Sequence, residues 1–322
     1  MRLAETPLQD PTFPLPHDQP FTRAMARDAG LTDKQLGALR SEGWLRHPMR
    51  GLYVGSHVPD TLAVRSAALA LVVPPDSFVT DFAAAWVHAG DIALPPNAHR
   101  ETLTPEVFRF PGRNRLRNDL MRSGQRRVRP GDLMVVGPLV VTTPLRTAVD
   151  LGRLQWSDDL AMHGMDRMLA LGDFTLDDLL MQVPRFRGDR GVVRLRCRAP
   201  MADGRSASFG ETVLRNRWRS AGLPRPELQI PVYEDGRVLF WLDMGLEELL
   251  FAAEYDGIDW HAGREQVAHD LERREWMAER RAWHIEVFTR DHVFGRQQDA
   301  CERLARAIRA ARASMGERVI LL

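Results

Sequence analysis

Three carboxylates near the end of the chain are spaced for metal chemistry. Asp243 closes a stretch, Val238 to Asp243, that reads as a strand. Glu254 falls near the end of an apolar run, Leu249 to Tyr255, where another aliphatic residue would be expected. Asp256 follows Glu254 by two, so both side chains leave the same face of an extended strand. Carboxylates gathered at one sheet edge repel each other, and ionising them together is costly. A divalent cation resolves that repulsion. Mg2+ (or Mn2+) takes oxygen ligands and keeps several waters, polarises a phosphodiester and lowers the pKa of the attacking water. Glu211 opens a preceding helix in Ser208-Phe209-Gly210-Glu211, and its spacing from Ser208 equally fits a capping box. Asp256-Gly257 is also a common turn dipeptide, and His261 beside Trp260 is either a site group or a packed surface histidine.

The elements that would position these residues follow from the pattern. A helix runs from Ser208 to about Ser220 and is stopped by Gly222-Leu223-Pro224. Leu228 to Tyr233 is a strand, Asp235-Gly236 a tight hairpin turn, and Val238 to Asp243 the returning strand. Leu249 to Tyr255, apolar almost throughout, is a central strand. A C-terminal helix, Arg296 to Arg312, puts Leu304, Ile308 and Ala311 on one face, directed to the core.

In order and spacing, Glu211, Gln229, Asp243, Glu254-Tyr255-Asp256-Gly257, His261, Asp270, Arg274 and Val287-Phe288-Thr289-Arg290 resemble the small nuclease domain related to very-short-patch-repair (Vsr-like) endonucleases, of the PD-(D/E)xK superfamily. The resemblance covers about residues 207–312. It implies a central mixed sheet flanked by helices, in a restriction-endonuclease-like α/β/α domain, and metal-dependent cleavage of nucleic acid. It assigns Asp243 and Glu254 as metal ligands, Glu211 to the metal or its water, and His261 as an acid/base or phosphate partner. Gln229 would support the site and Arg274 would meet a phosphate. Asp256 stands where the superfamily pattern has lysine.

The start of the chain reads differently. Residues 1–20 hold five prolines and form an irregular lead-in. Phe21, Met25 and Ala29 have helical spacing, ended by Gly30. Thr32 or Asp33 caps a second helix with Leu36 and Leu39 inward, ended by Gly43. Trp44-Leu45 and Gly51 to Val54 alternate like two short strands. This order over residues 21–58 is that of a winged helix-turn-helix. It would bring Lys34, Gln35 and Arg40 to a DNA groove and Arg46 and Arg50, at the wing, to phosphates. A small helical subdomain that docks against protein is the competing reading.

Residues 59–183 are mixed α/β, with helices at Leu62–Val73, Phe82–His88, Met162–Leu169 and Leu176–Leu180. Met134 to Thr142 is a hairpin turning at Gly137-Pro138, and Pro144 starts a helix through Leu151. Arg50-Gly51-Leu52-Tyr53, Ala84-Ala85-Trp86-Val87-His88 and Val141-Thr142-Thr143-Pro144-Leu145-Arg146-Thr147-Ala148-Val149-Asp150 resemble AbiEi-type antitoxins of bacterial type IV toxin–antitoxin systems. That resemblance covers about residues 20–180. It implies DNA binding, often autoregulatory, and a central domain facing a protein partner such as a cognate nucleotidyltransferase-type toxin.

Charge and composition bound the rest. The chain has 322 residues, 44 Lys+Arg and 43 Asp+Glu, for a net charge of +1. Lys34 is the one lysine, so chemistry that needs a lysine elsewhere is excluded. Residues 109–129 hold eight arginines and one acid, and 185–198 six and one. These local basic patches are hidden by the net charge, and they suit nucleic acid or a solvated loop equally. The second patch falls in an Arg-rich linker, 184–206, before a last domain at 207–322. Two cysteines are too few for a disulfide framework. With no signal peptide or membrane span in the pattern, a cytoplasmic protein is expected. The expected architecture is α+β and multidomain. Its expected function is DNA binding with metal-dependent phosphodiester hydrolysis. The alternatives are a catalytically inactive DNA-binding antitoxin or regulator, and a protein-binding module without nucleic-acid chemistry.

Overall fold

In the computed structural model of the chain, the residues described are 13–96, 103–110, 112–114, 116, 120–124, 126–257, 276–277, 280–294 and 298–320. The chain divides into two compact units, Met1–Gly204 and Arg205–Leu322, both of mixed α and β structure.

The first unit opens with β1 (Phe21–Thr22), α1 (Arg23–Asp28), α2 (Asp33–Ser41), β2 (Leu45–Arg46) and β3 (Leu52–Gly55). Phe21, expected in the first helix, instead pairs with Tyr53, and β3 lies between β1 and β2. The Thr22 hydroxyl accepts the Met25 N–H at 3.1 Å and starts α1. Thr32 and Gln35 form a reciprocal capping box on α2. Phe21, Ala26, Leu31, Leu36, Leu39 and Leu45 bury themselves in one small core.

The unit continues with α3 (Leu62–Ala70), β4 (Ser77–Val79), α4 (Asp81–Ala89), β5 (Val107–Arg109), β6 (Leu133–Val136), β7 (Leu139–Thr142), α5 (Pro144–Leu154), α6 (Asp158–Leu169), α7 (Leu176–Gln182) and α8 (Val192–Arg198). Its sheet has the order β5-β4-β7-β6, with β4 and β7 parallel. The expected linker at 184–206 is instead folded. Phe186, Val192, Leu195, Ala199 and Ala202 pack into the same core as α5 and α6. Arg198 lies against them with its guanidinium on Asp158 and on the carbonyls of Gly152 and Gln155. A helical apolar spacing threaded through arginines buries readily when those arginines find acceptors.

In the basic patch at 109–129 the described arginines do not all share one surface. Arg122 and Arg127 are exposed, whereas Arg126 is buried and paired. It donates to both oxygens of Asp81, at 2.7 and 2.9 Å, and to Asp150 at 3.1 Å. Asp150, on α5, is fully buried and also accepts from Arg146 at 2.8 Å and Arg153 at 2.9 Å. Burial alone would raise its pKa, but the three guanidinia outweigh it and hold the carboxyl below its usual range. Arg146 reaches on to Asp132 at 2.6 Å, which Arg185 also grips at 2.5 Å.

The second unit starts with α9 (Phe209–Ser220), followed by β8 (Glu227–Glu234), β9 (Arg237–Leu246), β10 (Phe251–Asp256), β11 (His284–Thr289), α10 (Arg290–Phe294) and α11 (Ala300–Ile320). The sheet order is β11-β10-β9-β8, with β8, β9 and β10 antiparallel and β11 parallel to β10. Asp235 and Gly236, both at positive φ, make the expected hairpin turn. The central strand starts two residues later than expected, because Glu247–Leu249 is a 3-10 turn and Leu250 takes φ 48°. Apolar cores form on both sheet faces. One holds Val213, Trp218, Phe251, Phe288 and Leu304, the other Ile230, Leu242, Ala252 and Met277. Among the described residues, no helix is long and apolar enough to cross a membrane.

Asp150→Ala should be among the costliest single substitutions in the first unit. It leaves three buried guanidinia without their shared acceptor, a loss of about 3–5 kcal/mol for a broken buried ion pair. Urea denaturation of the full chain should show the first unit's transition at clearly lower urea. An unchanged midpoint would mean that the arginines are held by other groups.

Candidate functional site

Asp243 and Glu254 come together where two strands part. β9 and β10 pair at Leu246–Phe251, Gly245–Ala252 and Met244–Ala253, and the ladder ends there. The next residue on each strand is Asp243 and Glu254. Asp243 Oδ2 accepts the Tyr255 N–H at 2.8 Å, so a side chain replaces the backbone partner at the divergence. On its other side β10 stays paired with β11, with Glu254 opposite Val287. Glu254 is 5% exposed, and Asp243 and Asp256 are half-buried.

Two glycines make this junction possible. A Cβ on Gly245 would lie 2.3 Å from the Phe251 carbonyl oxygen, so only glycine lets the strands approach there. A Cβ on Gly210 would lie 2.0 Å from the Tyr255 ring, so the first turn of α9 sits directly on β10. That contact sets Glu211. It is buried, and its Oε2 accepts the Ala207 N–H at 2.7 Å and Gln229 Nε2 at 3.3 Å. The Ser208 hydroxyl accepts the Glu211 N–H at 3.1 Å. The cap is therefore half a capping box, because the Glu211 side chain bonds one residue further out than Ser208.

Gln229 is itself unusual, a strand residue at φ 52°. Alternation should keep Leu228 and Ile230 on one face, and likewise Leu242 and Met244. Leu228 and Met244 instead enter one core, and Ile230 and Leu242 the other. Both strands exchange faces at Gln229 and Asp243. The strained position thus coincides with the carboxylate position, as strain often does at functional sites.

The structure links Glu211 to Gln229, and Asp243 to the backbone beside Glu254 and Asp256. His261 and Arg274, with Asp270, lie outside the described residues. Among the described residues, no group of three or more His, Cys, Asp or Glu side chains lies in a metal-holding arrangement.

The residues expected at DNA divide in two. Lys34, Arg40 and Arg50 are exposed. Gln35 is partly buried, and its Oε1 accepts from the Thr32 N–H and hydroxyl in the capping box. Arg46 is partly buried and turned inward, donating to the Val58 carbonyl at 2.7 Å with Asp60 at 3.6 Å. The expected wing tip is docked too. Pro48 and Met49 are buried, and the Arg50 N–H donates to the Leu103 carbonyl at 2.8 Å.

Sequence reasoning missed a second acidic pair, Asp81 and Glu106. Asp81 starts α4 at φ 52° and is clamped by Arg126. Glu106 accepts the Ala83 N–H at 3.2 Å. Burial, and then the Asp81 charge, push its pKa up to about 8. No local pattern marks Glu106, since Asp81 and Ala83 come from the start of α4, more than twenty residues earlier.

Fold and site together define a two-unit protein of mixed α and β structure, with paired acids at a strand divergence in its second unit. No protein-family model matches the chain. It is similar to two proteins of Mycobacterium tuberculosis, Uncharacterized protein MT2308 of strain CDC 1551 / Oshkosh and Uncharacterized protein Rv2248 of strain ATCC 25618 / H37Rv. Each is 32% identical over 180 residues, which is 56% of this chain and 66% of the relative, just under two thirds of its length.

Gln229 offers a direct check on the junction. A left-handed conformation costs a non-glycine residue about 1–2 kcal/mol. Gln229→Gly should therefore match or exceed the wild type in thermal stability, while Gln229→Val should fall below it. If the glycine variant is the least stable, the bond to Glu211, not the backbone, governs this position.

Proposed function

We propose that the protein binds DNA and hydrolyses phosphodiester bonds in its second unit, with Asp243 and Glu254 holding Mg2+ or Mn2+. The observation that carries this is the divergence of β9 and β10, where Asp243 caps the Tyr255 N–H beside the buried Glu254. The donor set fits such an ion, since carboxylate oxygens are the ligands hard divalent cations take. A bound ion would polarise the phosphodiester and acidify the attacking water. The chain's own residues supply the rest. The Tyr255 N–H holds Asp243 in one orientation, and the Ala207 N–H and Gln229 do the same for Glu211. Glu211 orients the water, and Asp256, on the Glu254 face of β10, takes its proton with His261. Arg274 meets a phosphate. The fold reading that goes with this is a restriction-endonuclease-like domain related to the Vsr-like nucleases.

The first unit would deliver the DNA. The order α1, α2, β2, β3 supports a winged helix-turn-helix. Lys34, Arg40 and Arg50 are its exposed cations, and binding through them would weaken steeply with salt.

One observation favours a second reading. Asp243 Oδ2 and Glu211 Oε2 both already accept backbone N–H groups, as carboxylates kept for structure do. On that reading the second unit is an inactive platform. The protein is then a DNA-binding antitoxin or regulator, akin to the AbiEi type, that also contacts a nucleotidyltransferase-type toxin.

Plasmid cleavage decides between them. Wild-type protein should nick or linearise plasmid with Mg2+ or Mn2+. Asp243→Asn, which keeps an acceptor for the Tyr255 N–H, and Glu254→Ala should each abolish cleavage while circular dichroism stays unchanged. Salt-sensitive DNA binding by the wild type, without cleavage under either metal, would favour the regulator. Cleavage that survives in both variants would place the active site elsewhere.

A further inference from the structure

A cleft of about 610 Å3 in the first unit is not used by any role assigned above. It lies between the small core under α1 and α2 and the core under α3 and α4. The first contributes Leu45 to the lining and the second Leu94. Its volume falls in the roughly 300–1,000 Å3 range of small-molecule sites, which favour boundaries between cores. It is distinct from the carboxylate site, which belongs to the second unit.

The lining has a definite chemistry. Arg40, at the end of α2, and Arg46, on β2, supply two guanidinia. Asp91 is the one acid in the lining, and its Oδ1 already accepts the Trp86 indole N–H at 2.7 Å. His47 adds no charge near neutral pH, because burial and the nearby Arg40 lower its pKa to about 4. It remains a neutral ring stacked on Tyr53, 4.4 Å between centroids, with Nδ1 3.3 Å from Arg40 Nη1. Leu45, Leu94 and prolines 48, 95 and 96 make the remaining wall apolar. Two guanidinia (Arg46 also lies 3.6 Å from Asp60, outside the lining), one committed acid and an apolar wall select an anionic head on an apolar body. Arg46 is held by the Val58 carbonyl, so its guanidinium is positioned before any ligand arrives.

We propose that this cleft binds a small organic anion, a carboxylate or phosphate monoester carrying an apolar ring-sized body, through Arg40 and Arg46. The anion lies between the end of α2 and the 3-10 turn at Gly90–Ala93. The assignment shares Arg40 with the DNA reading but needs neither Lys34 and Arg50 nor the second unit.

Isothermal titration of the full chain tests it with three probes of similar shape. These are benzoate, phenyl phosphate and the neutral benzamide. Saturable binding of at least one anion, with benzamide at least about tenfold weaker, is the expected result. Whichever anion wins identifies the head group. Arg40→Met changes an exposed residue, and Ser56→Trp fills the cleft from an exposed edge. Each should weaken the bound anion by about tenfold or more, with the thermal unfolding midpoint unchanged. No binding of either anion overturns the proposal. So does equal binding of benzamide, or wild-type affinity in both variants.

Discussion

A buried carboxylate must be answered by donors, and the first unit is organised around how arginine does this. Asp150 has no exposure and takes one bond each from Arg126, Arg146 and Arg153. A guanidinium keeps its proton and offers five N–H groups in a plane, so one arginine can serve several acceptors at once. Arg146 does so, bonding Asp150, Asp132 and the Arg127 carbonyl. The start of α4, the 126–132 segment, α5 and the turn before α8 are joined through these few side chains. A single ammonium would not span the same set. The chain's near-complete preference for arginine over lysine therefore has a structural use, whatever its origin.

Glu106 shows the cost of an incomplete answer. It is as buried as its neighbours, but Arg126 is spent on Asp81 and Asp150, and Arg122 stands 3.9 Å away and largely exposed. One backbone N–H remains, from Ala83, and the carboxyl rises well above its ordinary range. The second unit solves the same problem with backbone. Asp243 faces the Tyr255 N–H where β9 and β10 part, Glu211 faces the Ala207 N–H, and Gly245 and Gly210 allow the close approaches that bring these groups together. Backbone donors fix the orientation of both carboxylates, and an oriented oxygen donor is what a cation site requires.

Much of the local structure was legible in the sequence because its causes are local. Pro144 at the head of α5, the Asp235-Gly236 turn, the Thr32 cap and the apolar run of β10 each announce an element within a few residues. The two strands that carry Asp243 and Glu254 were also readable, but β9 runs on past Asp243, its expected end, to Leu246. What escaped depends on partners far away. Arg126 and Arg185 looked like surface charge, yet they meet Asp81 and Asp132 across 45 and 53 positions. The apparent linker at 184–206 joins the core for the same reason. Phe21 left its helical spacing for a strand because Tyr53 lies opposite. Gln35 and Arg46 have the right types for DNA contact, but a cap and the Val58 carbonyl claim them first. The positive φ at Gln229, which lets both strands change faces, has no signature in a residue that is not glycine.

Metal affinity tests Asp243 and Glu254 as a cation site without reference to turnover. Calorimetric titration of Mn2+ into the full chain should show a saturable site in the wild type. Glu254→Gln should abolish it, while Glu106→Gln, a change at the buried acid of the first unit, should leave it intact. Unchanged Mn2+ binding in Glu254→Gln, or no saturable binding in the wild type, would contradict the account.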